Sequence, residues 1–289
     1  MTILAMIDGQ IVPPEHARVS VFDRGFLFGD SVFETIRTYG GFPFALDDHI
    51  ERLARSAARV YIDLPVATET IREEVLRVVR EAGNAESFIR LMVTRGHGEI
   101  ALPPQVASHP VRVVLVTPLI PPPDEAYSRG VSVLTYRTQR VADATDAVGA
   151  KVANYLVSVL AMRDARRIGA VEALIVDGNG CVVEGATSNV FAVVDGQLVT
   201  PPEDAGILLG ITRATLLDVA RSEGMAPVLR PLPLEELMAA QEVFISSSIR
   251  ELLPVVRIDE SPIGSGEPGP VAHRLLQAFR KKTSQIMGL

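Results

Sequence analysis

Cysteine is nearly absent: Cys181 is the single one among 289 residues, so no internal disulfide can form and nothing calls for an oxidising compartment. A basic excess is absent too. Lys plus Arg number 28 against 35 Asp plus Glu, a net charge of −7, which leaves no overall positive field to attract nucleic acid or anionic lipid. No stretch approaches the roughly 20 apolar residues of a membrane-spanning helix. The opening residues 1–10 lack the basic start and apolar run of a signal peptide. A cytoplasmic protein without nucleic-acid or membrane partners is expected.

Several catalytic signatures are missing as well. There is no G-x-x-x-x-G-K-[ST] phosphate loop, and Gly178-Asn179-Gly180 sits in a hairpin turn with no helix after it. The histidines at 16, 49, 97, 109 and 273 never pair at i, i+4, and with one cysteine no metal site is expected. No G-x-S-x-G elbow occurs. What is present is a globular composition, 47% hydrophobic and 22% charged, long enough for one large or two medium domains.

Asp8-Gly9 between two short apolar runs predicts a hairpin, and residues 32–37 read as a half-buried strand turned back at Gly40-Gly41. Asp47 or Asp48 is expected to cap a helix that buries Ile50, Leu53, Ala54, Ala57 and Tyr61 and turns Arg52, Arg55 and Arg59 outward. A second helix over 69–81 precedes strands at 87–94 and 111–117. Four prolines in residues 118–123 mark a stiff linker, which predicts a small domain over 1–118, a linker over 119–130 and a larger domain over 131–289. The larger domain reads as a strand at 131–136, a helix from about Asn154 to Ile168, hairpins turning at 177–180 and 195–197, a helix after Gly210, a strand at 243–246 and a last helix over 271–286.

Three features stand out chemically. Lys151 is alone in an uncharged stretch from Ala147 to Leu156; a desolvated lysine loses its proton readily and becomes a nucleophilic amine, though by itself it also reads as a surface lysine at a helix start. Glu184 closes an apolar strand and is followed by Gly185-Ala186-Thr187-Ser188-Asn189; a buried carboxylate there needs a cationic partner, and an ordinary hairpin-end glutamate is the other reading. Leu208-Leu209-Gly210-Ile211-Thr212-Arg213 leads a glycine turn into a helix N-terminus, which suits a phosphate or, equally, a plain cap.

The chain resembles the class IV pyridoxal-phosphate enzymes: branched-chain aminotransferases, D-amino acid aminotransferases and aminodeoxychorismate lyases. The resemblance is carried, in order along nearly the whole chain, by residues 24–35 (RGFLFGDSVFET), Asp48-His49-Ile50-Glu51-Arg52-Leu53, Lys151-Val152-Ala153-Asn154-Tyr155, Glu184 to Asn189, Gly210-Ile211-Thr212-Arg213 and residues 246–251 (SSSIRE). It implies an α+β protein of fold-type IV, with a small N-terminal α/β domain, a larger C-terminal α/β domain containing a pseudo-barrel of mixed strands, and a homodimer. It implies pyridoxal 5′-phosphate as cofactor, linked covalently to Lys151, which then moves the proton. Glu184 would face the pyridine nitrogen, Tyr155 the phenolic oxygen and Leu208 the ring face. Arg52, Ile211, Thr212 and Ser248 would hold the phosphate, with Ser188, Asn189 and Ser247 completing the cofactor set, and the cofactor cleft would draw on both domains.

For the substrate, the resemblance points to Phe28, Phe33, Thr35, Phe88, Arg90, His97 and Ile249. The D-specific trap is missing, since Phe33 stands in place of a tyrosine and residues 97–102 (HGEIAL) contain no Arg-x-His pair. Phe88-Ile89-Arg90 is similar to the Tyr-x-Arg strand of branched-chain enzymes. Thr35, where those enzymes usually have glycine, is similar to the lyase. The expected activity is amino transfer from a branched-chain or other apolar amino acid to a 2-oxo acid such as 2-oxoglutarate. The lyase, releasing pyruvate and p-aminobenzoate, is the alternative, and a D-amino acid aminotransferase the third.

Overall fold

The structure is a computed structural model describing residues 2–102, 107–138 and 147–288. The chain forms two units: the described residues within 1–120, 145–154 and 287–289, and those within 121–144 and 155–286. Among the described residues no helix is long and apolar enough to cross a membrane.

In the first unit, β1 (Leu4–Ile7) and β2 (Gln10–Val12) form the hairpin expected from Asp8-Gly9, both of whose φ angles are positive. Then come α1 (Arg24–Phe28), β3 (Ser31–Tyr39), β4 (Phe42–Pro43), α2 (Leu46–Arg59), α3 (Thr68–Ala82), β5 (Ser87–Thr94), a small ribbon of β6 (His97–Gly98) and β7 (Ala107–Ser108), and β8 (Arg112–Pro118). The sheet runs β2-β1-β8-β5-β3-β4, with every pairing antiparallel. Strand alternation sorts its side chains. Val32, Ile36, Ile89, Leu91, Val114 and Val116 turn to one face and pack with Ile50, Leu53 and Ala57 of α2 and Ile71, Val75 and Val78 of α3. Each such fully buried aliphatic side chain contributes about 1.5–3 kcal/mol, which fixes the helices to that face and no other. Phe33, Thr35, Phe88 and Arg90 share the opposite face, since Thr35 pairs with Arg90 and Arg37 with Phe88.

Three local expectations are corrected here. The first residue before α2 is Ala45, at φ +50°, with no side-chain cap; Asp47 and Asp48 lie inside the first turn instead. Burial of Leu46 draws the helix start one residue earlier than the aspartates, which still suit the positive end of its dipole. The helix stops at Arg59, so Tyr61, at φ +56°, is 72% exposed and Ile62 takes the core position. Finally, Arg52 is not on an outward face: it is buried, at 6% exposed, as is Glu34 of β3, at 0%, because the two bind each other.

In the second unit follow α4 (Asp124–Ser128), β9 (Val131–Arg137), α5 (Leu156–Arg167), β10 (Glu172–Val176), β11 (Val182–Gly185), β12 (Asn189–Val194), β13 (Gln197–Thr200), α6 (Ile211–Ser222), β14 (Val228–Leu229), α7 (Leu234–Met238), β15 (Glu242–Ser247), β16 (Glu251–Ile258), β17 (Ser261–Pro262) and α8 (Pro270–Met287). Nine strands run β11-β10-β9-β16-β15-β12-β13-β14, with β17 beside β16. The sheet is mixed, with β9 parallel to both β10 and β16 and β13 parallel to β14. Phe191 and Phe244, directly opposite on β12 and β15, stack with centroids 5.3 Å apart at its core.

The unit boundary after Ile120 falls within residues 119–130, yet that segment includes the helix α4, which starts directly after Pro123 and buries Tyr127. Residues 147–154 group with the first unit although the sequence expectation ran 131–289 as one domain. Strand pairing explains it: Val152 bridges Val32, the Phe33 N–H donates to Lys151 O (3.0 Å) and the Ala153 N–H to Ser31 O (3.0 Å).

Candidate active site

Lys151 lies in that extended stretch rather than at a helix start, since α5 begins at Leu156 with Tyr155 as its N-cap. Its backbone is fastened on both sides, because the Lys151 N–H also donates to Ser56 Oγ of α2 at 3.1 Å. Its Nζ lies 4.6 Å from the centroid of the Phe33 ring, whose face attracts and positions a cation. The guanidinium of Arg90 lies 4.0 Å from the same centroid and donates through Nη1 to Thr35 Oγ1 at 3.2 Å. One sheet face of the first unit therefore gathers Lys151, Phe33, Thr35 and Arg90, with Phe88 on the same face.

On the helix-covered side of β3, Glu34 accepts from Arg52 Nε (2.8 Å), Arg52 Nη2 (2.6 Å) and His49 Nδ1 (2.8 Å). All three side chains are buried. Burial alone pushes the Glu34 carboxyl up, but the bonds from Arg52 and His49 outweigh it and bring it down to about 2. Burial, with the positive Arg52 and Lys151 nearby, pushes His49 below its ordinary value against the pull of Glu34. His49 is thus a neutral ring donating through Nδ1, because an ionised carboxylate can only accept. Glu34 fixes the plane of the Arg52 guanidinium, the group the resemblance assigns to the cofactor phosphate.

In the second unit, Glu184 Oε2 accepts the Leu208 N–H (3.0 Å) and the Asn189 carboxamide donates to Leu208 O (2.8 Å). These two bonds lock the turn that leads into α6. Gly210 is the N-cap of that helix, with no side-chain cap, and a Cβ there would run into Asn189 Oδ1. The amides of Ile211 and Thr212 belong to the first turn, where N–H groups have no intrahelical acceptor, so this terminus fits a phosphate. Glu172, fully buried, accepts from Thr187 Oγ1 (2.6 Å), Ser188 Oγ (3.2 Å) and Arg250 Nη1 (2.7 Å). It ties the 185–189 turn to the 248–250 turn, which carries Ser248 and Ile249; Ser247 Oγ accepts the Arg250 N–H at 3.3 Å. The first unit thus holds an amine and an oriented guanidinium, and the second an anchored carboxylate and a helix terminus without a side-chain cap, each a group whose chemistry suits pyridoxal phosphate.

The remaining predicted residues lie elsewhere. Phe28 sits at the end of α1 with Arg24 over its ring, and the Asn154 amide donates to the Phe28 and Gly29 carbonyls at 3.3 and 3.2 Å. His97 is exposed on β6, 6.0 Å from the His109 ring. Glu34, His49, Ser56, Glu172 and Arg250 were not singled out from the sequence. A usable signal existed for the first two: Glu34 has the strand parity of Val32 and Ile36, and His49 and Arg52 adjoin the buried Ile50 and Leu53. Among the described residues, no three His, Cys, Asp or Glu side chains are grouped to hold a metal ion.

Comparison with known proteins points the same way. The family model described as amino-transferase class IV matches residues 31–258. A branched-chain amino acid aminotransferase of Escherichia coli superposes with a TM-score of 0.92 at 31% identity, covering 98% of this chain and 95% of that one. A branched-chain amino acid aminotransferase of T.th. complexed with N-(5′-phosphopyridoxyl)-L-glutamate gives a TM-score of 0.90 at 32% identity, covering 98% and 95%. The D-alanine aminotransferase of Bacillus licheniformis is 32% identical over 281 residues, 95% of each chain.

Proposed function

Because the chain belongs to the class IV aminotransferase family, we propose that it moves an amino group from a branched-chain or other apolar amino acid to a 2-oxo acid such as 2-oxoglutarate, with pyridoxal 5′-phosphate as cofactor. The observation that carries this reading is the placement of the Lys151 amine over Phe33 on a backbone tied to both β3 and α2.

When bound, pyridoxal phosphate supplies an aldehyde that takes up the amine and a ring that accepts the electron pair released at the substrate α-carbon. Lys151 Nζ holds the group and carries the proton from and to that carbon. The Glu184 carboxylate, oriented by the Leu208 N–H, would keep a proton on the ring nitrogen, and the Tyr155 hydroxyl would serve the phenolic oxygen. Arg52, held by Glu34, would bind the phosphate from the first unit, and the amides of Ile211 and Thr212, with Ser247 and Ser248, would bind it from the second. Ser188 and Asn189 shape the turn through their bonds to Glu172 and to the Leu208 carbonyl. On the sheet face beside Lys151, Phe33 and Phe88 would meet the substrate side chain and Arg90 a substrate carboxylate, while Phe28, His97 and Ile249 would take part by resemblance alone.

A homodimer is part of the same reading. Val21, Phe22 and Phe26, with Ile100 and Leu102, are more than half exposed, an apolar surface suited to a second copy. The buried Arg24 guanidinium joins the two segments by bonding the carbonyls of Ala101 (2.5 Å) and Leu102 (3.0 Å). The lone cysteine suits a cytoplasmic location.

The test is a half-reaction. Cofactor-loaded protein given leucine without acceptor is expected to release one equivalent of 4-methyl-2-oxopentanoate per active subunit and stop; adding 2-oxoglutarate should restart release and form glutamate. Release of no oxo acid from any amino donor would refute the proposal.

A further inference from the structure

We propose that Thr35 is a specificity-determining positioning residue: its hydroxyl holds the Arg90 guanidinium ready for the distal carboxylate of a dicarboxylic oxo acid. This rests on the aminotransferase reading and deepens it. Thr35 and Arg90 are direct partners across β3 and β5, so the pair is set by strand register rather than by a flexible loop. The Arg90 Nη1 donates to Thr35 Oγ1 at 3.2 Å. Phe33, two residues earlier on the same face, lies 4.0 Å below the guanidinium carbon. A long arginine side chain has many rotamers, and a hydroxyl acceptor plus an aromatic surface together remove most orientations before any ligand arrives.

The same ring bears the Lys151 amine 4.6 Å from its centroid. The amine and the guanidinium carbon are therefore no farther apart than 8.6 Å, the sum of the two centroid distances, within reach of one small molecule. A substrate with its reacting carbon at Lys151 and a second carboxylate at Arg90 uses both cations. An apolar oxo acid uses only the first. Losing the Thr35 hydroxyl should therefore penalise the dicarboxylate more than the apolar acid, because only the dicarboxylate needs an ordered guanidinium.

The test compares Thr35→Val, of nearly the same shape, with Thr35→Ser, which restores the hydroxyl. In cofactor-loaded protein the ratio of kcat/KM for 2-oxoglutarate to that for 4-methyl-2-oxopentanoate should fall about tenfold in Thr35→Val, the scale of one hydrogen bond to a charged group, and return to within about twofold of wild type in Thr35→Ser. Calorimetric titration with glutarate and with 4-methylpentanoate reads the same preference without turnover, so it decides the matter even if no amino donor is found and the aminotransferase reading itself fails. A lowered ratio in either assay, rescued by serine, supports the assignment. A ratio unchanged in Thr35→Val, or lowered equally in both variants, overturns it.

Discussion

Replacing Lys151 by alanine is expected to lower kcat for amino transfer by about 10⁴-fold, the upper end of what a positioned general acid–base group supplies, while leaving the melting temperature within a few degrees of wild type. The two halves of this prediction have separate causes. The lost rate follows from removing the amine that holds the cofactor and moves the proton. The retained fold follows from bonds that engage only the main chain of Lys151 and Ala153: Lys151 N–H to Ser56 Oγ, Phe33 N–H to Lys151 O, and Ala153 N–H to Ser31 O. Alanine keeps each of them. Steady-state kinetics beside a thermal melt checks both. Activity near wild type would remove Lys151 from the mechanism, and a collapsed melt would show the side chain to be structural.

The second large effect concerns Glu34. Glu34→Ala leaves the buried Arg52 guanidinium without its carboxylate, and breaking a buried ion pair from one side costs about 3–5 kcal/mol. For a chain of this size that corresponds to a fall in Tm of roughly 10 °C. Acid should erode the same contribution in the wild type. Glu34 has a folded pKa of about 2 against an ordinary 4.5, so its contribution is complete above pH 4.5 and is lost as the pH falls toward 2; the size is on the order of 3 kcal/mol. His49, lowered from 6.5, acts in the same direction: its contribution is complete above pH 6.5 and declines below it, because the unfolded chain takes up the proton first. Denaturant unfolding across pH 7 to 3 should therefore show a stability that falls with acid. In Glu34→Gln the part below pH 4.5 should flatten. An equal acid slope in the variant would contradict the assignment.

Much of this was legible in the sequence, for identifiable reasons. The hairpins at 8–9, 177–180 and 195–197 were found because Asp-Gly turns punctuate apolar runs, and Ser87–Thr94 because its alternation is strict. Lys151 and Glu184 could be singled out because each charge interrupts an otherwise apolar or small-residue stretch. The Glu34–His49–Arg52 cluster was not, since an acidic residue in a strand and an arginine on a helix both read as solvent-facing until the two elements are packed against each other. The start of α2 at Leu46 and the exposure of Tyr61 are likewise set by tertiary burial, which overrides the local capping preference of Asp47. The attachment of residues 147–154 to β3 depends on a pairing more than a hundred residues distant in sequence, and no local pattern encodes that.

The central claim is that the ε-amine of Lys151 is the point of attachment and the proton carrier. It is tested most directly by loading the protein with pyridoxal 5′-phosphate, reducing with borohydride, digesting and sequencing by mass spectrometry. The account predicts a phosphopyridoxyl mass on the peptide containing Lys151, and none at that position in Lys151→Ala. A tag on another lysine, with Lys151 unmodified, would contradict it.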